Sequence, residues 1–181
     1  MIINIADLDR CSKVLGPGKR FVIWVQGCVF SCKGCYNKEF QELKENKLLT
    51  TSQIIEMILE EREHIEGVTL LGGEPFIQAR QLSLIARECK RANLSVLCYT
   101  GFTYSKELRK NKNIDELLKY VDVLIDGQYI EEERELKKYR GSKNQNIIFF
   151  SDVYGEKDFD VENSYEIKIE NNTLRIEGFY K

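Results

Sequence analysis

An α/β fold is predicted by two features of the sequence. Apolar, strand-like runs alternate with amphipathic helical segments, and the unusual residues all fall immediately after the strands. Strands joined by helices need crossover connections, which give a parallel sheet with helices packed on it. In such sheets ligands bind beyond the carboxyl ends of the strands. One edge of the sheet is therefore expected to carry the chemistry.

The elements follow in order. RFVIWVQ, residues 20 to 26, is a β-branched and aromatic run opened by the turn signal Gly16, Pro17, Gly18, and it reads as a buried strand. Directly after it, QGCVFSCKGCYN gathers Cys28, Cys32 and Cys35 within eight positions. Thr50 and Gln53 form a capping-box pattern ahead of IIEMILEEREH, whose Ile54, Ile55, Ile58 and Leu59 share a helical face. GVTLL, residues 67 to 71, is a second buried strand ending in Gly72, Gly73, Glu74 and Pro75. A helix over about 79 to 92 turns Leu82, Ile85, Ala86 and Cys89 inward, and LSVLCYT, residues 94 to 100, is a third strand ending at Gly101. A polar, basic stretch with Lys106, Arg109, Lys110 and Lys112 leads to a helical tail at IDELLKY. VDVLID, residues 121 to 126, is a fourth strand closing on Asp126 and Gly127. NIIFF, residues 146 to 150, reads as a further strand, and YEIKIENNTLRIEGF, residues 165 to 179, alternates around Asn171 and Asn172 as a hairpin. An antiparallel addition to the parallel sheet is expected there.

At 181 residues the chain suits one domain, with a core over about 16–150 and a C-terminal hairpin extension over about 160–181. A strand series this short cannot close a barrel of roughly 250 residues. The predicted architecture is therefore a partial (incomplete) TIM-like barrel with parallel strands and outer helices, plus the hairpin. The composition, 43% hydrophobic and 31% charged with only two prolines, is that of a compact globular protein. A net charge of −2 gives no global reason to expect nucleic acid or a membrane surface as partner. MIINIADLDR lacks the pattern of a signal peptide, and no apolar run approaches membrane-spanning length. A cytoplasmic location is expected, where clustered thiols point to metal or redox chemistry more than to disulfides.

The three thiols admit three readings. A structural zinc site needs four protein ligands, and the only distant candidates are Cys11 and the single histidine, His64. A thioredoxin-like dithiol at Cys32 and Cys35 leaves Cys28 without a role and expects a helix to start at the first thiol. An iron–sulfur cluster on three thiolates leaves one iron open to an exogenous ligand. The isolated Cys89 and Cys98 read as small buried hydrophobes.

The spacing C-x-x-x-C-x-x-C after a first strand, with GGEP after a second, resembles the radical S-adenosylmethionine (SAM) superfamily. GPGKRFVIWVQGC followed by CYN is similar to the activating enzymes of glycyl radical enzymes. LLGGEP, the Tyr-Thr-Gly at 99 to 101, DVLIDG and RGSKNQ resemble the ribonucleotide reductase group more than the pyruvate formate-lyase group. The resemblance runs from about Gly16 to Ile148. It implies that Cys28, Cys32 and Cys35 hold a [4Fe-4S] cluster, whose open iron takes the methionine end of SAM. Reductive cleavage of SAM then yields a 5′-deoxyadenosyl radical. It implies SAM contacts from Gly72, Gly73, Glu74 and Pro75, with Thr100 and Gly101 at the next strand end, and a monovalent cation beside Asp126. Asn37 follows the last cysteine as in those enzymes. Many members place an aromatic residue just before the third cysteine, against adenine; here Gly34 stands there and Tyr36 follows, as in the ribonucleotide reductase group, so the adenine contact would fall to Tyr36.

The implied partners are a glycyl radical enzyme, foremost an anaerobic ribonucleoside-triphosphate reductase, and a flavodoxin-type or other low-potential electron donor. Two other functions compete: a stand-alone radical SAM enzyme on a small molecule or peptide, and a non-catalytic iron–sulfur or zinc module. Arg20 either orients the cluster loop or faces solvent at the strand start, and a structural role is the favoured expectation. Arg140, Ser142, Asn144 and Gln145 read first as a capped turn.

Overall fold

A computed structural model describes residues 1–170 and 173–179. The four predicted parallel strands form its centre: β2 (Arg20–Val25), β4 (Gly67–Gly72), β5 (Ser95–Thr100) and β6 (Val123–Asp126), hydrogen-bonded in that order. Every one of their backbone positions from Phe21 to Val25 and from Val123 to Asp126 is buried, as expected of strands covered on both faces. β7 (Asn146–Phe149) pairs antiparallel with β6, which is the predicted addition to the parallel sheet.

Two strands on the other side were not anticipated. β1 (Ile2–Ser12) pairs antiparallel with β2, and β3 (Lys47–Thr50) pairs antiparallel with β1, giving a seven-stranded mixed sheet in the order β3-β1-β2-β4-β5-β6-β7. The register of β1 shifts between Ile5 and Asp7 and again between Asp9 and Ser12. Bulges of this kind break the period-two alternation by which a strand is recognised. The hairpin strands β8 (Tyr165–Glu170) and β9 (Thr173–Gly178) pair with each other in a separate two-stranded sheet rather than extending the main one. The expected Asn171–Asn172 turn lies outside the described residues.

The helices α1 (Thr51–Glu60), α2 (Ala79–Arg91) and α3 (Lys112–Leu118) all pack on one face of the sheet. α1 carries the predicted capping box, with the Gln53 N–H donating to Thr50 Oγ1 at 3.2 Å and the Thr50 N–H donating to Gln53 Oε1 at 2.8 Å. Ile54 and Ile58 bury against Phe21, Ile23 and Val25, while Leu59 stays exposed, contrary to the expected four-residue apolar face. The helix-free face presents Val22, Trp24 and Leu71, and it is covered by Leu15 and Phe179 together with loops. The far end of that face, otherwise clear of α-helix, is closed by the single turn α4 (Glu156–Phe159), which buries Phe159 against Leu97, Val123 and Ile125.

Arg20 is fully buried at the start of β2, the end of that strand opposite the cysteines. Its guanidinium donates to Thr69 Oγ1 at 2.7 Å, to the carbonyls of Pro17, Val68 and Ser95, and to the hydroxyls of Ser95 and Tyr154. Burial lowers its pKa, yet the fork of donors is satisfied across β2, β4 and β5. The role is structural. Arg20→Lys keeps the charge but replaces five fixed donors by three, so it is expected to cost about 3 kcal/mol of stability. Denaturant titration of the two proteins checks this value, with iron binding unchanged.

Candidate active site

A cavity of about 270 Å³ lies over the helix-free face at the carboxyl ends of the parallel strands. Its wall contains Cys28, Cys32 and Cys35, followed by Tyr36 and Asn37. Gly72, Gly73 and Glu74 come from the end of β4, Thr100 and Gly101 from the end of β5, and Gly127 and Tyr129 from beyond β6. The punctuation after four separate strands thus converges on one space.

The cysteine segment leaves β2 through Gln26 and Gly27 and has no helix over 26–37, which removes the geometry a thioredoxin-like dithiol would need. It returns to the sheet by two backbone bonds, Gly27 N–H to Phe40 O at 2.8 Å and Cys28 N–H to Gln41 O at 2.9 Å. Side-chain amides fasten this neck. Gln26 donates to Glu42 O at 2.7 Å and accepts from Asn46, while Gln78 holds the backbone of Asn4 from both sides and donates to Gln26 O. The loop before the cysteines, the loop after them and the start of α2 are thereby locked to β1. Within the loop, Phe30 meets Phe102 edge-on with ring centroids 4.9 Å apart, which ties it to the turn after β5.

All three thiols are free and partly buried. Burial pushes the Cys28 thiol up to about 11 and raises Cys35 as well, so metal uptake at neutral pH must displace their protons. No other cysteine or histidine among the described residues lines the cavity; Cys11 sits on β1 and His64 is exposed beyond α1. The donor set fits a group that takes three thiolates and keeps one position for a non-protein ligand.

Gly72 has φ +117°, and a Cβ there would stand 2.4 Å from Val25 N; at Gly73 it would stand 2.0 Å from Gly27 O. Their side-chain-free backbones are thus required by the close approach of β2 and of the cysteine neck, a reason that concerns the protein itself before any ligand. Gly73 N–H donates to Val25 O and Glu74 N–H to Gly27 O, each at 2.8 Å, so the two loops are docked backbone to backbone.

Glu74 is buried, with its carboxylate accepting from Phe76 N–H at 2.9 Å, Thr100 Oγ1 at 2.8 Å and Gly101 N–H at 2.8 Å. It therefore joins the end of β4 to the end of β5, and the Thr100 hydroxyl is spent on Glu74. Pro75 opens a 3₁₀ turn and does not line the cavity. Burial raises the Glu74 carboxyl to about 7, against the downward pull of its three donors. A raised folded-state pKa means stability that is fully present below the unfolded value of about 4.5 and is lost as pH rises through about 7. Denaturation measured between pH 4.5 and 8 is expected to show a loss on the order of 3 kcal/mol that Glu74→Gln abolishes.

Asp126 is buried but does not line the cavity; it accepts from Tyr104 N–H at 2.6 Å and Asn146 Nδ2 at 2.8 Å. Asn37 reaches Gly72 O at 3.4 Å. Tyr36 belongs to an aromatic wall, 5.6 Å from the Tyr129 ring and 5.8 Å from that of Phe179, with the Arg134 guanidinium 5.2 Å over its face. The Gly141 to Gln145 turn is capped as predicted, Gln145 Oε1 accepting from Gly141 N–H while its amide donates to Gly127 O; it also borders the cavity. Within the basic stretch, Arg109 pairs with Asp115 and Lys110 with Glu107. Tyr129 was missed although it follows a strand end like the others; Phe179 had no signal, since its placement depends on how the hairpin folds back.

Comparison with known proteins decides the lineage. Residues 14–148 match the family described as 4Fe-4S single cluster domain. The anaerobic ribonucleoside-triphosphate reductase-activating protein of Enterobacteria phage T4 is 33% identical over 152 residues, covering 80% of this chain and 93% of that protein. The chain belongs to the radical SAM activating-protein family. The protein of the same name from Vibrio cholerae is 36% identical over 148 residues, covering 76% of this chain and 92% of the relative. A pyruvate formate-lyase-activating enzyme from Staphylococcus epidermidis is 27% identical over 155 residues, covering 82% of this chain and 61% of the relative. Among the described residues no helix is long and apolar enough to cross a membrane.

Proposed function

We propose that the chain is an activating enzyme that generates a glycyl radical on an anaerobic ribonucleoside-triphosphate reductase, using a [4Fe-4S] cluster on Cys28, Cys32 and Cys35 together with SAM. The observation that carries this reading is the convergence of three free thiols and the Gly72–Gly73–Glu74 loop on one cavity whose described wall offers no fourth thiol or imidazole. Bound there, the cluster and SAM supply a reductively formed 5′-deoxyadenosyl radical able to take hydrogen from a carbon centre.

The residues of the chain bind, orient and shield. The backbone docking of Gly73 and Glu74 on Val25 and Gly27 holds the SAM-facing loop at a fixed distance from the thiols. Glu74 orients both strand ends by taking the Gly101 N–H and the Thr100 hydroxyl, which leaves the carbonyls of Gly73 and Gly101 to face the ligand. Tyr36, with Tyr129 and Phe179, offers an aromatic wall for adenine. Asp126 enters as the anchor of the turn at Tyr104, with a monovalent cation placed beside it. The seven-stranded sheet, with its helices on one face and the cavity on the other, is read as the arc of an incomplete barrel. Its open side suits a protein loop as substrate, and the electron is expected from a flavodoxin-type donor in the cytoplasm.

Transfer of the label tests this reading. A partner reductase carrying deuterated glycine is expected to pass deuterium into 5′-deoxyadenosine. Deuterium that stays on the reductase, while a small metabolite gives up its hydrogen instead, would assign the chain to the stand-alone class.

A further inference from the structure

The C-terminal ribbon is built inside out. Alternation along β8 and β9 sorts their side chains onto two faces, and the face turned to the body of the protein is the charged one. Lys168 bonds Asp9 and donates to Cys11 O at 2.9 Å, Glu166 accepts from Ser12 Oγ at 2.9 Å and from Lys13 N–H at 2.8 Å, and Glu177 is buried beside them. The opposite face carries Tyr165, Ile167, Ile169, Leu174 and Ile176 into solvent, with Ile167 opposite Ile176 and Ile169 opposite Leu174. Ile169 is 76% exposed and Leu174 59% exposed.

A two-stranded ribbon is marginal by itself, and a one-residue slip would exchange its faces. Here the ion cluster pins the register that leaves the apolar face outward, against the direction of hydrophobic burial. A contiguous apolar surface of this kind marks an interaction site. Two observations say what covers it. The ribbon runs straight into the cavity: Ile176, Glu177, Gly178 and Phe179 line the same wall as the cysteines, so Ile176 belongs both to the apolar face and to the cavity mouth. The ribbon also lies outside residues 14–148, the part matched to the cluster-binding family, and so beyond the region that carries the shared chemistry.

We infer that the outward face of the ribbon docks the partner reductase, gripping an apolar segment beside the glycine that enters the cavity. The inference rests on the activating function proposed above and adds to it the surface by which the substrate protein is chosen. A small-molecule substrate would have no use for apolar side chains extending this far from the mouth.

The test compares the holoprotein with its Ile167→Ser/Ile169→Ser/Leu174→Ser variant, which leaves Ile176 and the cavity wall intact. On the same samples, association with the cognate anaerobic ribonucleoside-triphosphate reductase is read by sedimentation, and glycyl radical yield by electron spin resonance. SAM cleavage without the reductase is expected to be unchanged, which also reports that the variant is folded. The KM for the reductase is expected to rise at least about tenfold, with the radical yield recovering at high reductase concentration. Equal association by both proteins would overturn the docking face and leave the activating function standing. So would a variant that loses only self-association, which would give the face to a second copy of the chain. Association by the wild type that deposits no radical on the reductase would strike the activating function and leave the docking face standing.

Discussion

Alanine at any one of Cys28, Cys32 or Cys35 is expected to reduce SAM cleavage by at least about 100-fold, beyond the loss that follows removal of a supporting residue alone. The three thiols line one cavity, and no substitute thiol or imidazole lines it among the described residues, so the loss of one ligand has no local remedy. Iron content of the anaerobically reconstituted variants is the check, and it is expected to fall in parallel with activity. Cys89→Ala is the control, because Cys89 is buried in the core between α2 and the sheet, with its thiol pushed up to about 12 by burial. That variant is expected to lose some stability and keep its iron. Retention of full iron and activity by Cys28→Ala, Cys32→Ala or Cys35→Ala would remove that residue from the ligand set.

Gly73→Ala is expected to have the second-largest effect. The new Cβ would stand 2.0 Å from Gly27 O and 2.9 Å from Phe40 O, both backbone atoms that cannot swing aside. The loop after β4 must then move away from the neck of the cysteine loop, breaking the bonds from Gly73 N–H to Val25 O and from Glu74 N–H to Gly27 O. A displacement of about 1 Å between two halves of a site costs on the order of 100-fold in rate, and overpacking against backbone costs about 3 kcal/mol in stability. Gly155→Ala separates this effect from any general cost of replacing glycine, since nothing lies within 4 Å of the Cβ it would add. The two variants are compared by rate of 5′-deoxyadenosine release and by thermal unfolding. Equal behaviour would contradict the docked-loop account.

The parallel centre of the sheet was legible because its strands are continuous apolar runs ended by Gly-containing turns, and because α1 and α2 carry strong helical periodicity. β1 was hidden by its two register shifts and by Asp7, Asp9 and Arg10 within it. β3 is four residues long and half exposed, too short for alternation to register. The site was legible to the extent that strand ends announce themselves: the cysteines, Gly72 to Glu74, Thr100 and Gly101 all reached the cavity wall.

What the residues do there was less legible. Glu74 and Thr100 looked like ligand contacts, and they bond each other across two strand ends. Asp126, expected beside a cation, ties down Tyr104 and Asn146 behind the wall. A buried acid signals that something must satisfy it, without saying whether that partner is a ligand or the protein's own backbone. The amide lock of Gln26, Asn46, Gln78 and Asn4 joins positions up to 74 residues apart, a separation over which no sequence pattern reports.

The most direct test is electron spin resonance on the reduced holoprotein mixed with SAM and the cognate anaerobic ribonucleoside-triphosphate reductase. The account predicts a glycine-centred signal on the reductase that requires SAM, disappears with Cys32→Ala, and is lost when the reductase's radical glycine is replaced by alanine. SAM cleavage proceeding at one rate with or without the reductase, and leaving no spin on it, would contradict the account.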